Sequence, residues 1–367
     1  MRAFCVLIVL LSCSYNNSFT LNSAFSVRRV SSLYSTSSTK GDIDIEKRAS
    51  LGDQELDEFS LKSYLSRVTP LIEERLGSCL SHQDTPETTK ITEAMYYSLL
   101  AGGKRVRPVA VCLAYDYISG APPSDASDAQ LKEHYRDALS LGVSIEMIHT
   151  MSLIHDDLPA MDDDDYRRGR LTCHKVYGED VAILAGDSLL SSSFEYLVRE
   201  GKASVEPLRL LEVLERLSAS VGNLGLAGGQ VMDLECEGKP SAEVTLDDLR
   251  WIHKHKTGAL LNIAVAGGAI LGGAGEKTVE DLEVYADKIG LAFQVADDIL
   301  DCTATSEELG KTAGKDEAVD KATYVRMMGL DGARAEARRL RDEAIRGLGE
   351  NGGGLKALAD FIVNRGN

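Results

Sequence analysis

Aromatic residues, proline and positive charge are all scarce in this chain. Of its 367 residues only 6% are aromatic, with a single Trp and eight Pro. No stretch shows the apolar–polar alternation of a half-buried strand, so a β-sandwich or barrel is excluded. The 40 Lys and Arg are outweighed by 57 Asp and Glu, a net charge of −17. That balance excludes nucleic acid and anionic membrane surfaces as general partners, and any anionic ligand must be held by local basic clusters or by metal. The seven Cys stand at 5, 13, 79, 112, 173, 236 and 302, without a CxxC or a regular spacing. An odd, unpatterned set reads as thiols in a reducing compartment, not as a disulfide framework. No Ser or Cys has a His context that suggests an activated nucleophile. What abounds is aliphatic: 44% of the residues are hydrophobic, as expected of a helical protein with one large domain.

Long apolar runs are missing as well. Phe4–Leu11 (FCVLIVLL) follows Arg2 and is too short to span a bilayer, but it suits the core of a signal peptide. From Ser12 to Lys40 the chain is rich in Ser, Thr and Asn, and no acidic residue occurs before Asp42, as in an organellar transit peptide. Signal plus transit peptide resembles the bipartite plastid presequence of algae with secondary plastids. The small residue followed by Phe at the cleavage region of such presequences is matched by Ser23-Ala24-Phe25-Ser26. The expected division is a signal peptide over 1–24, a transit peptide or linker over 25–50 and a catalytic domain over 51–367, with no membrane-spanning segment in the mature protein. A secretory signal with a linker, leading to the secretory pathway or endoplasmic reticulum, is the alternative.

From about Leu56 the pattern is helical. Leu61, Leu65, Val68, Leu71, Ile72 and Leu76 follow the helical period, and Pro70 is expected to kink or restart that helix. Further helices are expected over Ile91–Leu100, Leu131–Asp157, Glu179–Arg199, Pro207–Leu226, Leu246–Gly272, Lys277–Asp301, Gly332–Leu348 and Leu355–Val363. Several are apolar nearly all round, which predicts an all-α bundle with buried central helices.

The chemistry concentrates in His155–Arg170, HDDLPAMDDDDYRRGR, where six Asp between 156 and 165 are followed by three Arg. Like charges in close contact repel by about 4 kcal/mol at an effective dielectric of about 20. Cations must offset that cost in any partly buried place. Carboxylates that share a phosphate-bearing substrate suit Mg²⁺, and the neighbouring arginines offer planar forks to phosphate oxygens. A solvated charge run is the bland reading of four consecutive Asp. An EF-hand fails, because counting from Asp162 its sixth and twelfth positions hold Arg167 and Cys173. A second acidic cluster, FQVADDILD over Phe293–Asp301, speaks against the bland reading. Asp297 and Asp301 share one face of a largely apolar helix, with Asp298 beside them. Carboxylates on such a helix are costly unless they line a polar cavity. Two acidic helices facing one cavity would clamp one anionic group through metal.

These segments resemble the short-chain trans-isoprenyl diphosphate synthases, in particular the geranylgeranyl diphosphate synthases of plants and bacteria. The resemblance rests on LLAGGKRVRP (Leu99–Pro108), Glu146–Glu179, GGQVMDL (Gly228–Leu234), HKTGALL (His255–Leu261), FQVADDILD and ELGKTAGKD (Glu308–Asp316), all in the family's order. It implies the all-α isoprenoid synthase fold around a central cavity, a homodimer, and three Mg²⁺ per site held by Asp156, Asp157, Asp162, Asp297, Asp298 and Asp301. It implies that Lys104, Arg107, His149 and Arg168 hold isopentenyl diphosphate, that Arg167 meets the allylic diphosphate, and that Lys256, Thr257 and Gln294 line the reacting centre. Lys311 and Lys321 would close over the diphosphate. By itself His149 on an apolar helix reads as a core histidine, and His155 is left structural. Pro159 should end or bend the helix and swing Asp162 back toward Asp156.

The implied reaction is head-to-tail condensation of isopentenyl diphosphate with dimethylallyl, geranyl and farnesyl diphosphates. In the family, a bulky aromatic five or four residues before the first Asp stops growth at farnesyl diphosphate. Here those positions are Met151 and Ser152, about 7.5 Å along the helix for five residues. The expected product is therefore geranylgeranyl diphosphate, with farnesyl diphosphate as the alternative. A class I terpene cyclase needs no second substrate site, so Lys104, Arg107 and His149 argue against it. A non-catalytic partner subunit is expected to lose aspartates that are intact here.

Overall fold

The computed structural model describes residues 59–237, 239–240, 243–303, 322–349 and 352–364, and the chain divides between Leu56 and Asp57. The expected presequence, Lys311 and Lys321 lie outside the described residues. The second unit is all-α and opens with α1 (Leu61–Ser78), capped by the Ser60 hydroxyl, which accepts from the Ser63 amide. α1 runs through Pro70 as one element, so the expected restart does not occur. α2 (Thr89–Leu99) and α3 (Val106–Ser119) flank the GGKR loop.

The expected long helix Leu131–Asp157 is two helices, α4 (Asp128–His134) and α5 (Arg136–Asp156). The joint is Tyr135, whose hydroxyl donates to Asp116 at 2.7 Å beside that of Tyr64 at 3.0 Å. The two phenols share one oxygen of this buried carboxylate and the His134 ring meets the other at 2.7 Å, so residues on both sides of the joint are held where periodicity alone runs on. A hairpin of two-residue strands, β1 (Tyr166–Arg167) and β2 (Arg170–Leu171), follows α5. Arg168 and Gly169 both take positive φ, as a two-residue hairpin turn of the primed class requires. No strand was expected here, because Arg-Gly is a weaker signal than Asn-Gly and the strands are too short to alternate. Tyr97 of α2 pins the hairpin: its hydroxyl donates to the Leu171 carbonyl at 2.7 Å, and Arg170 stacks on its ring at 4.2 Å.

α6 (Cys173–Tyr177) and α7 (Glu179–Gly201) come next. Among the described residues α7 alone is long and apolar enough to cross a membrane, but it packs against α5 in the core. α8 (Pro207–Val221) begins with Pro in its first turn and stops short of the expected Leu226, where α9 (Leu226–Glu237) starts instead. α10 (Leu246–Ile252), with a Thr245–Asp248 capping box, passes through a π turn at His253–Gly258 into α11 (Ala259–Leu271). α12 (Glu276–Thr303), α13 (Tyr324–Arg346) and α14 (Gly353–Asn364) complete the bundle. The middle of the core is α5 and α11, both buried on nearly all sides, with α3, α7, α8 and α12 packed around them. Each fully buried Leu or Ile there contributes about 1.5–3 kcal/mol. The polar ends of these central helices are what remain to build a site.

Candidate active site

α5 delivers the first acidic cluster at its C-terminal end. Asp156 is its last residue and Asp157 its C-cap, after which the chain turns at Pro159. The Asp162 amide then donates back to the Asp156 carbonyl at 2.8 Å, so the loop returns Asp162 to the helix end. Asp163 follows in a left-handed conformation. Asp157 is buried and paired with Arg167 at 2.6 Å. Arg167 also reaches Asp164 at 3.7 Å, while Lys175 pairs with Asp165 at 2.7 Å, so the later aspartates are largely neutralised by the chain itself. Burial pushes the Asp156 carboxyl up to about 6. The Lys256 charge is the largest influence pulling it down, and Asp162 and Asp157 push it up further.

The basic residues converge one helical face away. A cavity of about 380 Å³ is lined by Lys104, Arg107, His149, Arg168 and Phe293 together with Arg105 and Glu146. Arg168 lies so close to Gly103 that a Cβ there would meet its guanidinium at 2.9 Å, which ties the hairpin turn to the GGKR loop. Burial and then Arg107, Arg168, Arg167 and Arg105 hold the His149 ring well below its ordinary pKa, so it is a neutral group among cations. Arg105 is different. It is fully buried and bound to Glu73 and Glu146, each at 2.7 Å, and to the Leu99 carbonyl at 2.9 Å. A buried cation so fully paired fixes the loop and leaves Lys104 and Arg107 to face the cavity. His155 bonds the Ile183 carbonyl of α7 at 3.2 Å through Nε2, a packing contact.

α12, whose Phe293 lines the same cavity, packs on the π turn. Gln294 donates to Asp297 at 3.4 Å, and Asp298 accepts the Tyr324 amide at 2.7 Å, capping α13. Asp301 is buried. The π turn carries Lys256 and Thr257, and the Lys256 ammonium pairs with Asp233 of α9 at 2.6 Å. Met151 is buried in the core, and the Ser152 hydroxyl turns back to the His149 carbonyl at 2.9 Å. Among the described residues no three acidic, imidazole or thiol groups close into a ready metal cluster. The donor chemistry nonetheless fits a hard divalent cation: it is all-carboxylate and partly buried, and burial pushes the Asp156 carboxyl up, a cost that opposite charge offsets.

A polyprenyl synthetase family profile matches residues 88–359. The chain belongs to the polyprenyl synthetase family. Over 310 residues it is 47% identical to a dimethylallyltranstransferase of Fischerella ambigua, covering 84% of each protein. Over 313 residues it is 47% identical to a chloroplastic geranylgeranyl pyrophosphate synthase of Capsicum annuum, covering 84% of this chain and 80% of that protein. Its fold matches a Helicobacter pylori geranyltransferase complexed with magnesium and isoprenyl diphosphate, with TM-score 0.69 and 31% identity over 83% of this chain and 98% of that one. This polyprenyl synthetase is therefore a prenyltransferase with the all-α isoprenoid synthase fold. Two of its site features escape sequence reasoning. Arg105 and Asp233 sit inside the quoted segments, yet only the fold shows that one locks a loop and the other holds a lysine. The available signal was a lone Asp four residues after Gly229, on the same helical face.

Proposed function

We propose that this polyprenyl synthetase condenses isopentenyl diphosphate with allylic diphosphates up to geranylgeranyl diphosphate, in a plastid. One observation carries the reading: Lys104, Arg107, His149 and Arg168 converge on one cavity beside the acidic end of α5. That makes room for two diphosphates, whereas a terpene cyclase needs one. Lys104, Arg107 and Arg168 supply charge to isopentenyl diphosphate, and His149, neutral in the unliganded protein, offers a ring N–H to its phosphate oxygens. Asp156, Asp157, Asp162, Asp297, Asp298 and Asp301 would hold magnesium, which when bound would supply positive charge to the allylic diphosphate. Arg167 joins it on exchanging Asp157 for phosphate. Lys256, Thr257 and Gln294 present dipoles and charge where the allylic carbon–oxygen bond breaks. The isopentenyl double bond attacks the allylic cation, and a proton leaves to the departing diphosphate, so the product is again allylic and one unit longer.

Chain length follows from α5. Met151 lies five residues behind Asp156 and is an unbranched, adaptable side chain, and Ser152 is small. Supplied with isopentenyl and dimethylallyl diphosphates and Mg²⁺, the protein is expected to make geranylgeranyl diphosphate, and Met151→Tyr to stop at farnesyl diphosphate with condensation retained. A wild type that stops at farnesyl, or a Tyr variant that does not, overturns this ruler. The plastid address is supported by the absence of acidic residues before Asp42 and by the chloroplastic relative. Secretion of a reporter carrying residues 1–50 would refute it.

A further inference from the structure

Arg105 is held from three helices at once, and one of its partners stands outside the stretch that the family profile covers. The Glu73 carboxylate of α1 accepts from Arg105 Nε at 2.7 Å and from Nη2 at 3.3 Å. Nη1 donates to Glu146 of α5 at 2.7 Å, and Nη2 also donates to the carbonyl of Leu99, the last residue of α2, at 2.9 Å. α1 ends at Ser78, whereas the profile begins at residue 88. The register of α1 against α3 is set at both ends: the Tyr64 hydroxyl donates to Asp116 at 3.0 Å, and Glu73 meets Arg105 at the N-cap of α3. From Tyr64 to Glu73 the helix rises about 13.5 Å, and from Arg105 to Asp116 about 16.5 Å, so both contacts fit one antiparallel pair. Glu73 therefore cannot slide off its partner. Arg105 itself takes φ 47° and ψ 36°, a left-handed conformation that a residue other than glycine keeps only where its surroundings impose it. Lys104 precedes it and Arg107 follows two residues on, and both line the cavity of about 380 Å³. Gly103, in the same loop, lies against the Arg168 guanidinium. A rotation at Arg105 would displace Lys104, Arg107 and Arg168 together.

We propose that Glu73 is a positioning residue for isopentenyl diphosphate: from α1 it grips Arg105 in two places, holds the left-handed turn and so aims Lys104 and Arg107 into the cavity. The proposal rests on the reading of that cavity as the isopentenyl diphosphate site. Glu146 and the Leu99 carbonyl take only the far nitrogens, whereas Glu73 reaches Nε and so sets the plane of the fork relative to the turn. A planar guanidinium suits this task, because its fork gives direction where an ammonium gives only charge. The allylic diphosphate is assigned to the aspartates of α5 and α12, so disturbing the grip on Arg105 should touch one substrate and spare the other.

The test is steady-state kinetics on the full chain with Mg²⁺, with circular dichroism as the check on folding. Isopentenyl diphosphate is varied at saturating dimethylallyl diphosphate, and then the reverse. Arg107→Gln should raise KM for isopentenyl diphosphate and leave that for the allylic substrate in place; if neither KM moves, the reading of the cavity fails and this proposal falls with it. With that shift in hand, Glu73→Ala should raise KM for isopentenyl diphosphate about tenfold, the effect of misplacing one hydrogen bond to a charged group. KM for dimethylallyl diphosphate and kcat should change little. Glu73→Gln keeps one acceptor for the Nε–H and should give a smaller rise in the same KM. A merely structural role would lower kcat through loss of active protein, or move both KM values alike, and either result overturns the proposal. An unchanged KM for isopentenyl diphosphate in Glu73→Ala overturns it as well. If Glu73→Ala does not fold, Glu73→Gln decides: a rise confined to isopentenyl diphosphate supports the proposal, and KM values that stay put or move together overturn it.

Discussion

His149 shows how far one residue's chemistry depends on its neighbours. A histidine on an apolar helix reads as core, and only the fold brings Arg105, Arg107, Arg167 and Arg168 around its ring. Burial and those charges hold it neutral well below the ordinary value near 6.5, while in the unfolded chain it still protonates there. Below about pH 6.5 the unfolded state then binds the extra proton, so stability falls as pH drops and is unaffected above it. The slope approaches about 1.4 kcal/mol per pH unit for one proton. His149→Gln should flatten the stability curve between about pH 5 and 6.5, measured by urea unfolding, and an unchanged slope would show that the ring titrates normally. The acidic residues were legible at this scale from spacing alone, because six Asp in ten positions have few inexpensive explanations. Asp233 was not, since its meaning lies in a lysine 23 residues away.

Elements were legible where one face is continuously apolar, and not where a side chain overrules the period. α7 and α12 stand close to their expected bounds because nothing interrupts their apolar face. The helix ahead of α5 splits at Tyr135, where His134 and Tyr135 are both held by Asp116, a partner no local pattern reveals. The π turn between α10 and α11 was equally invisible, since HKHKTG carries no helix breaker before Gly258. It persists because α9 and α12 pack against it. Gly229 sets the closest of those approaches. In Gly229→Ala the new Cβ would meet the Lys256 backbone at 2.2 Å and His255 C at 2.8 Å, atoms that cannot rotate away. The expected cost is about 1–3 kcal/mol by overpacking, with a larger loss of turnover as Lys256 and Thr257 shift. Denaturant unfolding and steady-state rates check both parts. An Ala variant with wild-type stability would mean that α9 is not seated on the π turn as described.

At the scale of the whole molecule, α7 presents an apolar face to the outside of the described fold. Its composition would suit a membrane, yet only 44% of its most apolar window is buried by the rest of the fold. On the outside Ile183 is 44% and Leu184 56% exposed, with Val176 of α6 at 44% just before them. In a protein of net charge −17 such a surface is unusual unless another protein surface meets it. The family resemblance implies a homodimer, and a second copy of this same strip is the self-complementary partner a two-fold axis supplies. The face also lies near the chemistry, because His155, adjacent to Asp156, is bonded to the Ile183 carbonyl. Pairing through α7 would therefore stiffen the very helix end that presents the first aspartates. Leu184→Glu places a charge in the middle of that strip while touching nothing in the core. Light scattering after gel filtration should give a dimer for wild type and a monomer for Leu184→Glu, with helical content unchanged by circular dichroism. Turnover of the monomer should fall without a matching loss of thermal stability in the core. A wild type that runs as a monomer, or a Glu variant that stays dimeric, would move the interface to another face.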